Sequence, residues 1–158
     1  MSTIGAYDIA GVNKWALAQR LTQGDKFFAA EIGGVTWYID NYCARAVPET
    51  AAYVKAVPAT DGITRNIRNR TQTTEEVELH DTGLIRRSEI KGKPDITIWE
   101  TDDGTQVGVR EDFAKLAGKK GKLYGGAQDP ANSAICIRVD GVPSAVIMPV
   151  RIRKEESK

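Results

Sequence analysis

Apolar and polar positions alternate along most of the chain, dividing it into short extended runs separated by turn residues, with two stretches of helical period. Tyr7 to Ala10 reads as a short opening strand, followed by a helix from about Val12 to Thr22 that Gly24 stops. Trp15, Leu17, Ala18 and Leu21 share the apolar arc of that helix, and Lys14 intrudes on it. The runs KFFAAEI and VTWYIDNYCARAV meet at Gly33-Gly34, a two-residue hairpin signal because both glycines tolerate positive φ. Pro48 to Thr74 has no clear period. It reads as a mobile, irregular connection holding Arg65, Arg68 and Arg70 among Asn and Thr.

Strands resume at EVELH and LIRRSEI, expected to turn at Asp81-Thr82-Gly83, then at DITIWE and TQVGV across Asp102-Asp103-Gly104. Val109, Phe113, Leu116 and Ala117 follow i, i+4, i+7, i+8 and predict a second helix over Val109–Ala117, with Glu111 and Asp112 in its first turn and Lys119 and Lys120 past its end. KLYGGA, SAICIRV and SAVIMPVRI complete the strands, the last two joined at Asp140-Gly141. Pro149 cannot donate to a ladder, so the final strand is expected at an edge or bent. The order is strand, helix, strands, repeated once without sequence identity.

Composition narrows the class without naming a function. At 158 residues, 41% hydrophobic and 27% charged, the chain suits one α+β domain with its own core, and excludes collagen-like and disordered classes. The 22 basic and 21 acidic residues leave a formal +1, so any nucleic-acid contact must come from local charge. Such a region exists: Gly108 to Lys122 carries five basic against two acidic residues, while Asp61 to Asp103 carries seven against ten. No basic-plus-apolar leader opens the chain and no run reaches membrane-spanning length, so an unprocessed cytoplasmic protein making no membrane contact is expected.

The reactive side chains are few. His80 is the single histidine, which removes most ligands and bases for Cys/His zinc sites and Ser-His or Cys-His catalysis. Cys43 and Cys136 sit in apolar runs and read as buried free thiols. Asp81, Glu89 and Lys91, spaced D-x7-E-x-K across an expected hairpin, form the one candidate for nuclease chemistry of the PD-(D/E)xK kind, in which two carboxylates hold a divalent cation. Such hairpins are also ordinary surface chemistry, and Arg86 and Arg87 stand beside the acids to neutralise them. Gly-Lys-Lys-Gly-Lys at 118–122 lacks the spacing and the Ser/Thr of a phosphate loop. No enzyme activity, metal or cofactor is expected. Trp37, Tyr38 and Trp99 with the Arg65/Arg68/Arg70 stretch would serve a β-rich module binding a protein or a single strand, although strand aromatics are more often core.

GVREDFAKLAG, the lysine- and glycine-rich turn after it, DPANSAICIRVDG and AVIMPVRI together resemble the end of a bacterial replicative sliding clamp, the β clamp; the likeness covers Val107 to Ile152. In that family the last strand reads close to V-I/V-M-P-M/V-R-L, matched here by Val146, Ile147, Met148, Pro149, Val150, Arg151 and Ile152. The resemblance implies a DNA-clamp-like domain over 1–152, built of two βαβββ units with antiparallel sheets outside and two helices on one face. Residues 153–158 would then be an added charged tail. It implies copies of the chain assembling into a ring around duplex DNA, six being the simplest closure, as a polymerase processivity factor. Lys14, Arg20, Lys115, Lys119, Lys120 and Lys122 would then face DNA, or be merely solvated. Val146, Met148, Pro149 and Arg151 would line a cleft for short peptides of polymerases and other clients, unless the apolar ones are simply core. The alternative is a clamp-fold protein that binds or mimics a replication protein without encircling DNA.

Overall fold

In the computed structural model, which describes residues 6–152, three helices and ten strands form a mixed α+β domain. Helix α1 (Ile9–Gln23) begins where the Asp8 carboxylate accepts the Gly11 N–H, and Gly24 closes it. Tyr7–Ala10 therefore forms no strand: Tyr7 and Asp8 lead into the helix, and Ile9 and Ala10 begin it. The hairpin of β1 (Phe28–Ile32) and β2 (Val35–Ile39) turns at Gly33-Gly34, both at positive φ as expected. The chain continues through β3 (Cys43–Pro48) and a two-residue β4 (Val57–Pro58) parallel to β1.

The stretch 48–74, expected as an irregular connection, instead contains helix α2 (Asp61–Gln72). Thr60 caps it by accepting the Ile63 N–H. Its buried side is only Ile67 and Thr71, with Ile63 packed beside them. Two isoleucines among Arg, Asn and Thr make too thin an apolar stripe to stand out.

Strand β5 (Glu76–Arg86) is unbroken where a turn was expected. Asp81-Thr82-Gly83 forms a bulge: the register with β6 (Ile96–Glu100) slips between Asp81 and Leu84, and Gly83 adopts φ 81°. The bulge lets β5 serve two neighbours, pairing its first half with β8 (Gly121–Gly126) and its second with β6. Strand β7 (Gln106–Arg110) runs through Val109, so the expected second helix starts two residues late. What remains is one turn, α3 (Glu111–Ala114), and a 3₁₀ turn over Lys115–Ala117. The period was misleading because Val109 is an inward strand residue paired with Thr97.

Strands β9 (Ile135–Val139) and β10 (Val142–Ile147) complete a ten-stranded sheet ordered β4-β1-β2-β3-β10-β9-β8-β5-β6-β7. β10 stops before Pro149, and Val150 then bridges Gly108, its N–H donating to the Gly108 carbonyl at 2.8 Å. This bridge joins the segment after β10 to β7 and so closes the run β10-β9-β8-β5-β6-β7 at one point. A Cβ on residue 108 would lie 2.5 Å from the Val150 oxygen, so this closure needs glycine there. Leu79, Val107, Val109, Leu123, Ile135, Ile137, Ala145 and Ile147 pack together inside, and Phe113, Leu116 and Ala117 of the α3 region join them.

Two triplets, β1-β2-β3 following α1 and β8-β9-β10 following α3, meet through the antiparallel β3–β10 pair. Trp15 of α1 packs on the same cluster as the α3 region, so both helices lie on one face of the sheet. Helix α2 covers the opposite face, against Trp37, Ala44, Ala46 and Val146. The buried side of α1 is Val12, Asn13 and Ala16, not the expected Leu17, Ala18 and Leu21, which are exposed. Asn13 is drawn inward because its amide donates to Ile9 O and Ala51 O, and Ala16 is small enough for close approach to the sheet.

Candidate nucleic-acid interface

The turn after α3 and the start of α1 lie side by side: Lys119, Lys120, Leu116, Tyr7, Asp8 and Val12 line one pocket of about 300 Å³. Lys14 is exposed on the outward side of α1. Arg20 is also exposed, near the helix end and about 120° around it from Lys14. Lys115 is exposed and pairs with Glu111 at 3.6 Å, an ordinary i,i+4 helix pair. Four of the six expected cations, Lys14, Lys115, Lys119 and Lys120, thus belong to the α1/α3 face, with Arg20 at its margin. Lys122 does not. It alternates with the inward Leu123 on β8 and pairs with Glu78 at 3.7 Å, which puts it on the outside of the closed strands.

A second basic region was not expected. Arg86, Arg87, Lys93, Arg110 and Arg151 line an open cleft of about 1050 Å³ against one acidic lining residue, Glu89. The guanidinium of Arg87 binds Asp95 at 3.0 Å, and that carboxyl is held below its usual range by the Ser88 backbone N–H and by Arg87. Arg110 binds Asp112 at 2.7 Å and lies over the Phe113 ring at 4.1 Å. Sequence proximity hid this cleft because its cations come from four separate segments.

The four expected peptide-cleft residues are not gathered in one place. Val146 is buried against the α2 side and Met148 is exposed, its N–H donating to Tyr42 O at 3.0 Å. Pro149 is half-buried, and Arg151 lines the basic cleft. Residues 153–158, the expected tail, lie outside the described residues.

Asp81 sits at the β5 bulge, whereas Glu89 and Lys91 lie past the far end of that strand, on the order of 15 Å along it. Among the described residues no cluster of three or more His, Cys, Asp or Glu could hold a metal. His80 is exposed between Asp102 at 2.9 Å and Glu78 at 3.5 Å. Cys43 and Cys136 are buried free thiols, as expected. Burial pushes Cys43 up to about 12 and Cys136 up to about 11, so both stay protonated and unreactive at neutral pH.

The aromatic and arginine set considered for a binding module is largely structural. Trp37 and Tyr38 are core, and the Tyr38 hydroxyl donates to Val54 O at 2.7 Å. Arg70 donates to Ala134 O at 2.7 Å and Tyr124 O at 2.8 Å, which fixes the end of α2 on the strands. Of the three arginines of that helix, Arg65 and Arg68 are exposed.

Comparisons with protein families, with characterised proteins and with solved structures return no match. No helix among the described residues is long and apolar enough to cross a membrane.

Proposed function

We propose that the protein is a non-catalytic DNA tether of the sliding-clamp kind, copies of which assemble around duplex DNA with the α1/α3 face inward. One observation carries the reading: α1 and α3 pack on the same face of two joined strand triplets, and that face presents Lys14, Lys115, Lys119 and Lys120 to solvent. Lysines on such a face meet phosphates without reading bases, and a closed assembly holds DNA by topology. The basic cleft containing Arg151 would take acidic segments of polymerases or other clients.

Charge reversal tests the face directly. Lys115→Glu with Lys119→Glu and Lys120→Glu should abolish association with a short duplex at moderate salt. Each cation lost should reduce the slope of log affinity against log salt by about 0.9. Unchanged affinity and slope would refute the assignment.

A second reading is favoured by Leu17 and Leu21, which are 50% and 79% exposed on α1. Apolar side chains on a DNA-facing helix contribute nothing to phosphate contact, and they suit a protein surface. In this reading the protein binds or mimics a replication protein and never encircles DNA. It then stays a monomer with duplex present and binds its client through α1.

A further inference from the structure

Arg45 occupies a position where the strand pattern calls for an apolar residue. In β3, Cys43, Arg45 and Val47 alternate onto the α1 side, and both neighbours in that alternation are buried core. The Arg45 side chain is only 14% exposed. Its guanidinium lies 5.4 Å from the Trp15 ring centroid, and its nearest anion is the Asp8 carboxylate at 3.9 Å, too far for a hydrogen bond. Asp8 is largely exposed, and its other oxygen is engaged by the Gly11 N–H at the start of α1. Among the described residues, no hydrogen bond is donated by the Arg45 guanidinium.

A guanidinium carries five N–H donors and stays charged in proteins. Among the described residues none of the Arg45 nitrogens is both buried and unpartnered, so its donors reach water in the opening beside them, where an oxyanion can take the place of that water. That opening is the 300 Å³ pocket between the start of α1 and the turn after α3. Lys119 and Lys120 stand at its rim, both exposed, and Ser144 and Tyr7 complete its polar lining. Burial pushes the Tyr7 phenol up, which keeps it a donor. Three cations against one carboxylate leave the pocket at +2.

We propose that Arg45, Lys119 and Lys120 form a binding pocket for a phosphate group. The planar guanidinium offers paired donors to two oxygens of a tetrahedral oxyanion, and the two lysines supply charge at the mouth. The group can belong to free phosphate or to the backbone or end of a nucleic acid; the chemistry recognised is the same. The pocket shares Lys119 and Lys120 with the face proposed to meet DNA but needs neither ring assembly nor duplex binding, so inorganic phosphate tests it apart from the tether reading.

Inorganic phosphate is titrated into the full chain against chloride at matched ionic strength, and melting temperature and tryptophan emission are followed. Phosphate should raise the melting temperature above the chloride control and shift the emission, since Trp15 stacks on the captured arginine. The double variant Lys119→Gln, Lys120→Gln alters only exposed side chains and should weaken phosphate binding about tenfold. Arg45→Gln should abolish it; should that variant fail to fold, the lysine pair decides.

A second arm compares short single-stranded oligonucleotides with and without a 5′-phosphate. Equal binding of both, lost in Arg45→Gln, assigns the pocket to the backbone diester, and preference for the 5′-phosphate assigns it to a terminal or free monoester. A phosphate response no greater than that of chloride overturns the proposal. So does a response that survives the lysine substitutions.

Discussion

Arg138 on β9 grips Glu76 on β5 with two hydrogen bonds, from Nε at 2.9 Å and Nη2 at 3.1 Å, and the same Nη2 reaches the Thr71 carbonyl at 3.0 Å. Arg70 approaches the same carboxylate at 3.4 Å. All three side chains are largely buried, so one carboxylate between two guanidiniums holds the end of α2 on the closed strands. Glu76→Ala leaves two buried cations without their shared anion and should cost about 3–5 kcal/mol in denaturant unfolding. Arg138→Met in the Glu76→Ala background should then cost less than it does alone. A loss below about 1 kcal/mol for Glu76→Ala would contradict this role.

Gly108 closes the strands, and the space there is already taken by the Val150 carbonyl. Gly108→Ala should cost about 1–3 kcal/mol and speed hydrogen exchange at the Val150 amide. Exchange at the wild-type rate would mean that the bridge does not hold the last strand.

The two thiols predict an alkaline limit to stability. Their pKa values rise from 9.0 to about 12 for Cys43 and to about 11 for Cys136, with burial the main cause in both. Above pH 9 the unfolded chain releases protons that the folded chain retains. The contribution is therefore full below pH 9 and is lost as pH rises towards 11–12. In the double variant Cys43→Ala, Cys136→Ala, stability should fall less steeply over that window. At pH 8 neither wild-type thiol should react with a thiol reagent until the protein unfolds. Rapid labelling of the folded chain would contradict their burial.

Leu17→Gln with Leu21→Gln tests the exposed side of α1. Because both leucines already face solvent, folding stability should change by no more than about 0.5 kcal/mol each. A loss of several kcal/mol would place these residues in a contact that holds the monomer together.

Where local pattern and tertiary environment agreed, the sequence was legible. Gly33-Gly34, Asp102-Asp103-Gly104 and Asp140-Gly141 mark real hairpin turns. Pro149 was expected to put the last strand at an edge or bend it. Instead β10 is an interior strand between β3 and β9 that ends at Ile147, before the proline could interrupt its ladder. Errors arose where one signal has two meanings. Asp81-Thr82-Gly83 resembles a turn but is a bulge, because Thr82 hydrogen-bonds across to Ile98 and β5 continues. Leu17 and Leu21 make a helical stripe, yet Asn13 turns the other side of α1 inward. At the candidate sites, the α1/α3 lysines could be seen in the sequence. Arg45 left a signal that period-two reading could have caught, a cation at an inward register between Cys43 and Val47. The Arg86–Arg151 cleft left none, since only folding brings its segments together.

The mass of the assembled particle, measured by sedimentation equilibrium with and without duplex DNA, tests the tether most directly. A tether gives a discrete assembly of several chains on the duplex, dispersed when Lys115, Lys119 and Lys120 are reversed to Glu. A single-chain mass at every concentration, unchanged by duplex DNA, would contradict it.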